Sequence, residues 1–147
     1  MAIYTAGFAE WTAERFFGEL KAKAVSHLVD VRLNNVSQLA GFAKRKDLEY
    51  FLKVICSAEY MHEPSLAPTS ELLKMYRGKK ITWDEYENQF VNLLTERKVE
   101  NFLSREIFDG VPVFLCSEHK ADFCHRRLAL DYLKKHWGID GAVLHLI

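Results

Sequence analysis

The chain has 147 residues, with 20 Lys plus Arg balanced by 20 Asp plus Glu for a formal net charge of zero. Apolar residues make up 49% and aromatic residues 13%, enough to bury a core, which excludes disordered, collagen-like and low-complexity chains. The balance also argues against a protein that binds nucleic acid through overall basicity, while leaving local basic patches open.

Ala2 to Thr5 is a short apolar run that leaves through Gly7, which predicts a first strand. From Thr12 to Lys23 the apolar residues Ala13, Phe16, Phe17, Leu20 and Ala24 recur at three- and four-residue spacing, an amphipathic helix with Thr12 as N-cap. His27 to Arg32 is compact and mostly apolar, as a buried parallel strand is. Leu33 to Lys44 mixes Asn, Ser, Gln and Gly and predicts a loop, long enough to suggest a functional role. Asp47 to Cys56 is a second helix, and Glu59 to His62 a short strand stopped by Pro64. Helical spacing returns from Ser70 through Tyr76. Thr82-Trp-Asp-Glu85 matches the capping box and opens a long helix with Tyr86, Phe90, Leu93 and Leu94 on one face. A short helix is expected over Glu100 to Phe108, and Val111 to Cys116 is the clearest strand. Phe123 to His136 is a helix closed by Gly138, and Gly141 to Ile147 is the last strand. This alternation predicts a single α/β domain over residues 1–147, a mostly parallel sheet with helices on both faces.

The three cysteines, Cys56, Cys116 and Cys124, are too few and unevenly spaced for a disulfide scaffold. No charged leader precedes an apolar stretch, and the longest apolar runs, such as VPVFLC, are strand-sized. A reduced, cytoplasmic protein without a membrane segment or bound cofactor is expected.

Ligands of open α/β sheets bind outside the carboxyl ends of the strands. Two strands here end in reactive side chains, one in Asp30-Val31-Arg32 and the other in Cys116-Ser117-Glu118. The second runs on into Cys124-His125-Arg126-Arg127 at the start of a helix, where free N–H groups attract phosphate or carboxylate. Arg126 and Arg127 add guanidinium forks, and Arg32 reaches the same cleft. The same field favours a thiolate at Cys124, with Glu118 and Asp30 as proton carriers or as carboxylates that hold the arginines. Asp30 and Arg32, two apart on a strand, share a face, so Asp30 is expected to support Arg32 more than to act as acid or base. Arg32 and Arg126 are expected to converge on one anion, and Arg126→Gln to weaken binding with little loss of fold.

The order Asp30-Val31-Arg32, Ser37, Tyr60 and His62, Leu115-Cys116-x-Glu118 and Cys124-His125-Arg126 resembles the domain of unknown function 488 family. The opening Tyr4 to Phe8, the Leu66 to Thr69 segment and Trp83-x-x-Tyr86 extend the resemblance over nearly the whole chain. It adds Ser37 to the ligand-binding candidates Asp30, Arg32, His125, Arg126 and Arg127, which His62 joins because it ends a strand beside an irregular loop on the face of Tyr60, and it implies no particular reaction. Asn35 stands where that family usually carries proline, and Ala67 where glycine is common. A looser likeness to rhodanese-like domains, through the Asp-Val-Arg triplet and a cysteine at a strand-loop-helix junction, brings in sulfur transfer. Glu118 and Asp122 suit a persulfide cradle poorly.

Plainer roles stand beside these. Cys116 and Cys124 suit buried positions as well as reactive ones, and Cys56 is expected to be structural. A zinc site from Cys116, Cys124 and His125 is disfavoured, because adjacent helical residues project about 100° apart. His27 and His145 are expected as packed or hydrogen-bonded core residues. The runs Lys44-Arg-Lys46 and Arg77-Gly-Lys-Lys80 read as solvated faces, and Trp11, Trp83 and Trp137 as packing residues. The leading expectation is a small protein whose Cys/Arg pocket binds, and acts on, a phosphate-bearing or nucleotide-like ligand. Arg32, Arg126 and Arg127 hold the anion, while Cys124, Glu118 and Cys116 carry the chemistry. The alternatives are a non-catalytic nucleic-acid or protein interaction module and a Cys116–Cys124 redox pair. For the last, a Cα separation above about 7 Å would require backbone movement and count against the pair.

Overall fold

Five short strands, β1 (Ala2–Gly7), β2 (His27–Asp30), β3 (Glu59–His62), β4 (Pro112–Cys116) and β5 (Ala142–Leu146), pair in the order β3-β2-β4-β1-β5. Every pairing is parallel. This computed structural model describes residues 2–35, 41–117 and 123–146. The central strands β2 and β4 are buried at every position, which is why their sequences carry runs of Val, Leu and Phe and not an apolar–polar alternation.

Side chains alternate across the sheet and so divide into two cores. Ile3, Val29, Val31, Phe114 and Cys116 point to one face, and Tyr4, Ala6, Leu28, Val113 and Leu115 to the other. The second face is covered by α1 (Ala13–Ala22), through Phe16, Phe17 and Leu20, and by α2 (Arg45–Phe51), through Leu48. The first is covered by α3 (Ser70–Arg77), α4 (Trp83–Arg97), α5 (Val99–Phe102) and α6 (His125–Trp137). Tyr86, Phe90 and Leu94 form the buried stripe of α4, and Leu128, Ala129 and Leu133 are fully or nearly buried on α6.

Local signals set most element ends. Thr12 Oγ1 accepts the Arg15 N–H at 3.2 Å and starts α1. At α4, Thr82 Oγ1 accepts the Glu85 N–H and Glu85 Oε1 accepts the Thr82 N–H, both at 3.2 Å, so the capping box is complete. Gly138, at φ 61°, closes α6 in the left-handed conformation that glycine adopts without strain. Two expected helices are differently built. The one expected over residues 47–56 begins at Arg45 and passes at Leu52 into a wider π turn that ends at Ser57, φ 52°. The one expected over residues 100–108 divides, because Ser104 Oγ accepts the Glu106 N–H at 3.2 Å and caps a separate turn at Arg105–Phe108.

Gly110 fixes the entry to β4. Its φ is +68°, and a Cβ there would lie 2.6 Å from Ser26 Oγ, the atom that accepts the Val111 N–H at 2.9 Å. Gly110→Ala is therefore expected to lower the unfolding free energy by about 2 kcal/mol in urea titrations, from backbone strain and the displaced Ser26 hydroxyl. Among the described residues no helix is long and apolar enough to cross a membrane.

The topology also fixes where a ligand can sit. β1 and β4 are neighbours, yet α1 follows β1 onto one face while α6 leads from β4 onto the other. Connections that diverge from adjacent parallel strands leave a crevice at their carboxyl ends.

Candidate functional site

A cavity of about 710 Å³ occupies that crevice. Phe8 and Trp11 enter it after β1, Arg32 after β2, Cys116 from the end of β4, and Cys124 and His125 from the start of α6. The α3–α4 hairpin closes the far wall with Tyr76, Arg77, Trp83 and Tyr86, and Phe123 completes it. Trp83 stacks on Tyr86 with ring centroids 5.2 Å apart and meets the edge of Phe123 at 5.4 Å.

Asp30, fully buried, organises the β2 side. Its Oδ1 accepts the Arg32 backbone N–H at 3.1 Å and Nε–H at 2.8 Å, while Oδ2 accepts Arg32 Nη2 at 2.7 Å and the Tyr60 hydroxyl at 2.6 Å. Two parallel N–H···O bonds fix the guanidinium plane, and Phe8 lies under it with the ring centroid 5.3 Å away. Burial, together with the Asp30 carboxylate it donates to, pushes the Tyr60 hydroxyl pKa well above its ordinary value. Asn35 Nδ2 donates to Tyr60 Oη at 2.9 Å. His62 donates from Nε2 to the Arg32 carbonyl at 3.0 Å and does not line the cavity. This cluster holds Arg32 in place while other N–H groups of its fork remain available to a ligand.

The β4 side is built on sulfur. Cys116 and Cys124 are both nearly fully buried, their Sγ atoms in contact across a Cα separation of 7.8 Å. The Arg126 guanidinium, fully buried beneath them, reaches Cys116 Sγ from Nη1 at 3.0 Å and Cys124 Sγ at 3.8 Å. Arg126 does not line the cavity, and Arg127 pairs with Asp131 one turn along α6 at 3.6 Å. Of the two arginines expected to converge on an anion, Arg32 thus faces the cavity and Arg126 faces the cysteines. The expected indifference of the fold to Arg126→Gln does not fit so buried a side chain.

His125 joins the two sides by donating from Nε2 to the Val31 carbonyl at 2.6 Å, which leaves Nδ1 as the acceptor. Burial, reinforced by the positive charges of Arg126 and Arg77, lowers its pKa to about 4 against the opposing Val31 bond and Asp30. A histidine whose folded pKa lies below its unfolded value of 6.5 is bound to fewer protons in the folded chain between those pH values. Stability is therefore present above about pH 6.5 and lost as pH falls toward 4. Melting temperatures across that range are expected to fall less in His125→Gln than in the parent.

Ser37, Glu118 and Asp122 lie outside the described residues. Cys56 is half-buried, donates to the Phe17 carbonyl at 3.6 Å, and has its thiol pKa raised by burial, in keeping with a structural role. His27 is buried and bonded to the Ile107 carbonyl at 2.6 Å, but His145 is exposed on β5 and bonds to Thr5, so it is not a core residue. Among the described residues no group of three or more His, Cys, Asp or Glu is placed to hold a metal ion. The sequence reading missed Arg77, Tyr76, Trp83 and Phe123 as cavity residues. The only signal was their arrangement around the α3–α4 turn, with Tyr76-Arg77 closing one helix and Trp83 opening the next.

The model of the family described as Domain of unknown function DUF488 matches residues 12–133. The chain belongs to that family. The match takes in β2 through β4, the Asp30–Arg32 pair, both cysteines of the cavity and the first turns of α6. Phe8 and Trp11, which also line this DUF488 cavity, lie just before the N-terminal limit of the match. No curated protein and no solved structure matches the chain closely enough to count as similar.

Proposed function

We propose that this protein binds a phosphate-bearing, nucleotide-like ligand in the cavity at the carboxyl edge of the sheet. The observation that carries this reading is the pairing of two arginines, Arg32 and Arg77, with an aromatic wall of Tyr76, Trp83 and Phe123 in one cavity. Guanidinium forks suit phosphate oxygens, and flat rings suit a nucleobase, whose stacking is worth about 1–3 kcal/mol. A volume of about 710 Å³ lies within the usual range for small-molecule sites. Arg32 is the stronger anchor in this reading, because Asp30 has already fixed its orientation and less entropy is lost on binding. Arg77, exposed in the last turn of α3, meets the ligand from the rim.

A second reading, an interaction module for nucleic acid, is favoured by the exposed run Arg77-Gly-Lys-Lys80 that continues outward from the rim. Salt separates the two. Contact with many phosphates weakens steeply as salt rises, whereas a single nucleotide in a cavity loses little.

A thermal-shift comparison of a nucleoside monophosphate, a sugar phosphate, inorganic phosphate and an uncharged nucleoside tests the proposal. The nucleoside monophosphate is expected to raise the melting temperature most, because a ligand of the folded state stabilises it by mass action. Equal shifts with all four probes, or none, would overturn it.

A further inference from the structure

We infer that Cys116 and Cys124 form a dithiol centre that reacts with hydroperoxides, Cys116 attacking as the thiolate and Cys124 resolving the product. Three observations meet at this pair. Both cysteines line the cavity, so a small oxidant reaches sulfur atoms that are otherwise nearly fully buried. Their Sγ atoms are in contact, on the ends of two different elements, β4 and α6. The Arg126 guanidinium lies against both, closer to Cys116 at 3.0 Å than to Cys124 at 3.8 Å. A fixed cation beside a thiol favours the thiolate, the form that attacks, so the shorter contact gives Cys116 the attacking role that the start of α6 alone would give Cys124. His125 next to the pair has a carbonyl-bound Nε2, and takes no part in the proton bookkeeping.

Cys116 gives its proton to water as the thiolate forms, and the thiolate attacks one oxygen of the hydroperoxide. The O–O bond breaks, Cys116 becomes a sulfenic acid, and the leaving hydroxide or alkoxide takes up a proton. Cys124 then attacks the sulfenic sulfur, the S–S bond forms, and the hydroxyl leaves as water with the Cys124 proton. Two thiols are oxidised by two electrons in all, and one hydroperoxide is reduced. A Cα separation of 7.8 Å exceeds the roughly 4.4–6.8 Å of relaxed disulfides, so the second step draws the end of β4 and the start of α6 together by about 1 Å. By the sequence criterion alone a redox pair at this separation is disfavoured, and the contact of the two Sγ atoms is what favours it.

The test uses the whole reduced chain, treated with hydrogen peroxide in the presence of a chelator and followed by intact mass, thiol labelling and peptide mapping. Cys116 and Cys124 are expected to lose reactivity together and appear as one cross-linked peptide, about tenfold faster than Cys56 is oxidised. In Cys124→Ser the reaction is expected to stop at a sulfenic acid on Cys116, trapped by dimedone. Arg126→Lys, which keeps the charge, is expected to retain the order of reactivity at a reduced rate. Oxidation of Cys116 no faster than Cys56 would overturn the inference. So would a sulfenic acid trapped on Cys124 in place of Cys116, or over-oxidation of the parent with no cross-link. None of these outcomes bears on nucleotide binding, which the thermal-shift comparison reads separately.

Discussion

Asp30→Asn is expected to lower the unfolding free energy by about 3–5 kcal/mol, the loss typical when one partner of a buried ion pair is removed. Arg32 is only 4% exposed and Asp30 is not exposed at all, so the substitution strands a guanidinium that is largely shut off from water. The amide also replaces one carboxylate oxygen with a donor, which opposes either Arg32 Nη2 or the Tyr60 hydroxyl. Adding Arg32→Met is expected to restore part of the loss, because the double variant removes the unpaired charge that the single one creates. Urea unfolding of the single and double variants checks both statements. A single variant that unfolds with the parent and yet binds no ligand would instead assign Asp30 a direct contact with the ligand.

Arg126→Gln is expected to cost about 2–4 kcal/mol, although the sequence, which reads Arg126 as an anion ligand, predicts little loss of fold. Its side chain is fully buried and occupies the space beneath two sulfur atoms. A glutamine is shorter, leaves that space partly empty, and takes an uncharged amide into a region arranged around a cation. Arg127→Gln, by contrast, removes the partly exposed pair with Asp131 and is expected to change stability by less than about 1 kcal/mol. Thermal and urea unfolding of the two variants side by side reads the difference. Equal, small effects would return Arg126 to the solvent side of α6.

The contrast between these neighbours shows what sequence could and could not convey. Arg126 and Arg127 are equivalent in composition and position, and adjacent helical residues project about 100° apart. Which of them meets the core depends on the phase at which α6 docks on the sheet, a property of long-range packing. Asp30 and Arg32 were easier: two residues apart in extended chain, they share a face, and the pair closes although β2 ends at Asp30. The capping box at Thr82, the Thr12 cap and the closure at Gly138 were legible for the same reason, since each is a local exchange of hydrogen bonds. The strand Pro112–Cys116 was legible from its unbroken apolar run. The aromatic wall was not. Tyr76, Trp83 and Phe123 look like ordinary packing residues until the α3–α4 hairpin folds over the carboxyl edge of the sheet, and nothing in their spacing fixes that fold.

The central claim is that one cavity recognises a phosphate and a ring together, and calorimetric titration with a nucleoside monophosphate tests it most directly. The parent is expected to bind one ligand per chain. Arg77→Gln is expected to weaken binding about tenfold or more, as the loss of a charge-assisted hydrogen bond implies, with no change in the unfolding midpoint. Trp83→Ala is expected to weaken the nucleotide by a similar factor while leaving inorganic phosphate unaffected. Binding that neither substitution alters, or the absence of saturable binding by the folded parent, would contradict the account.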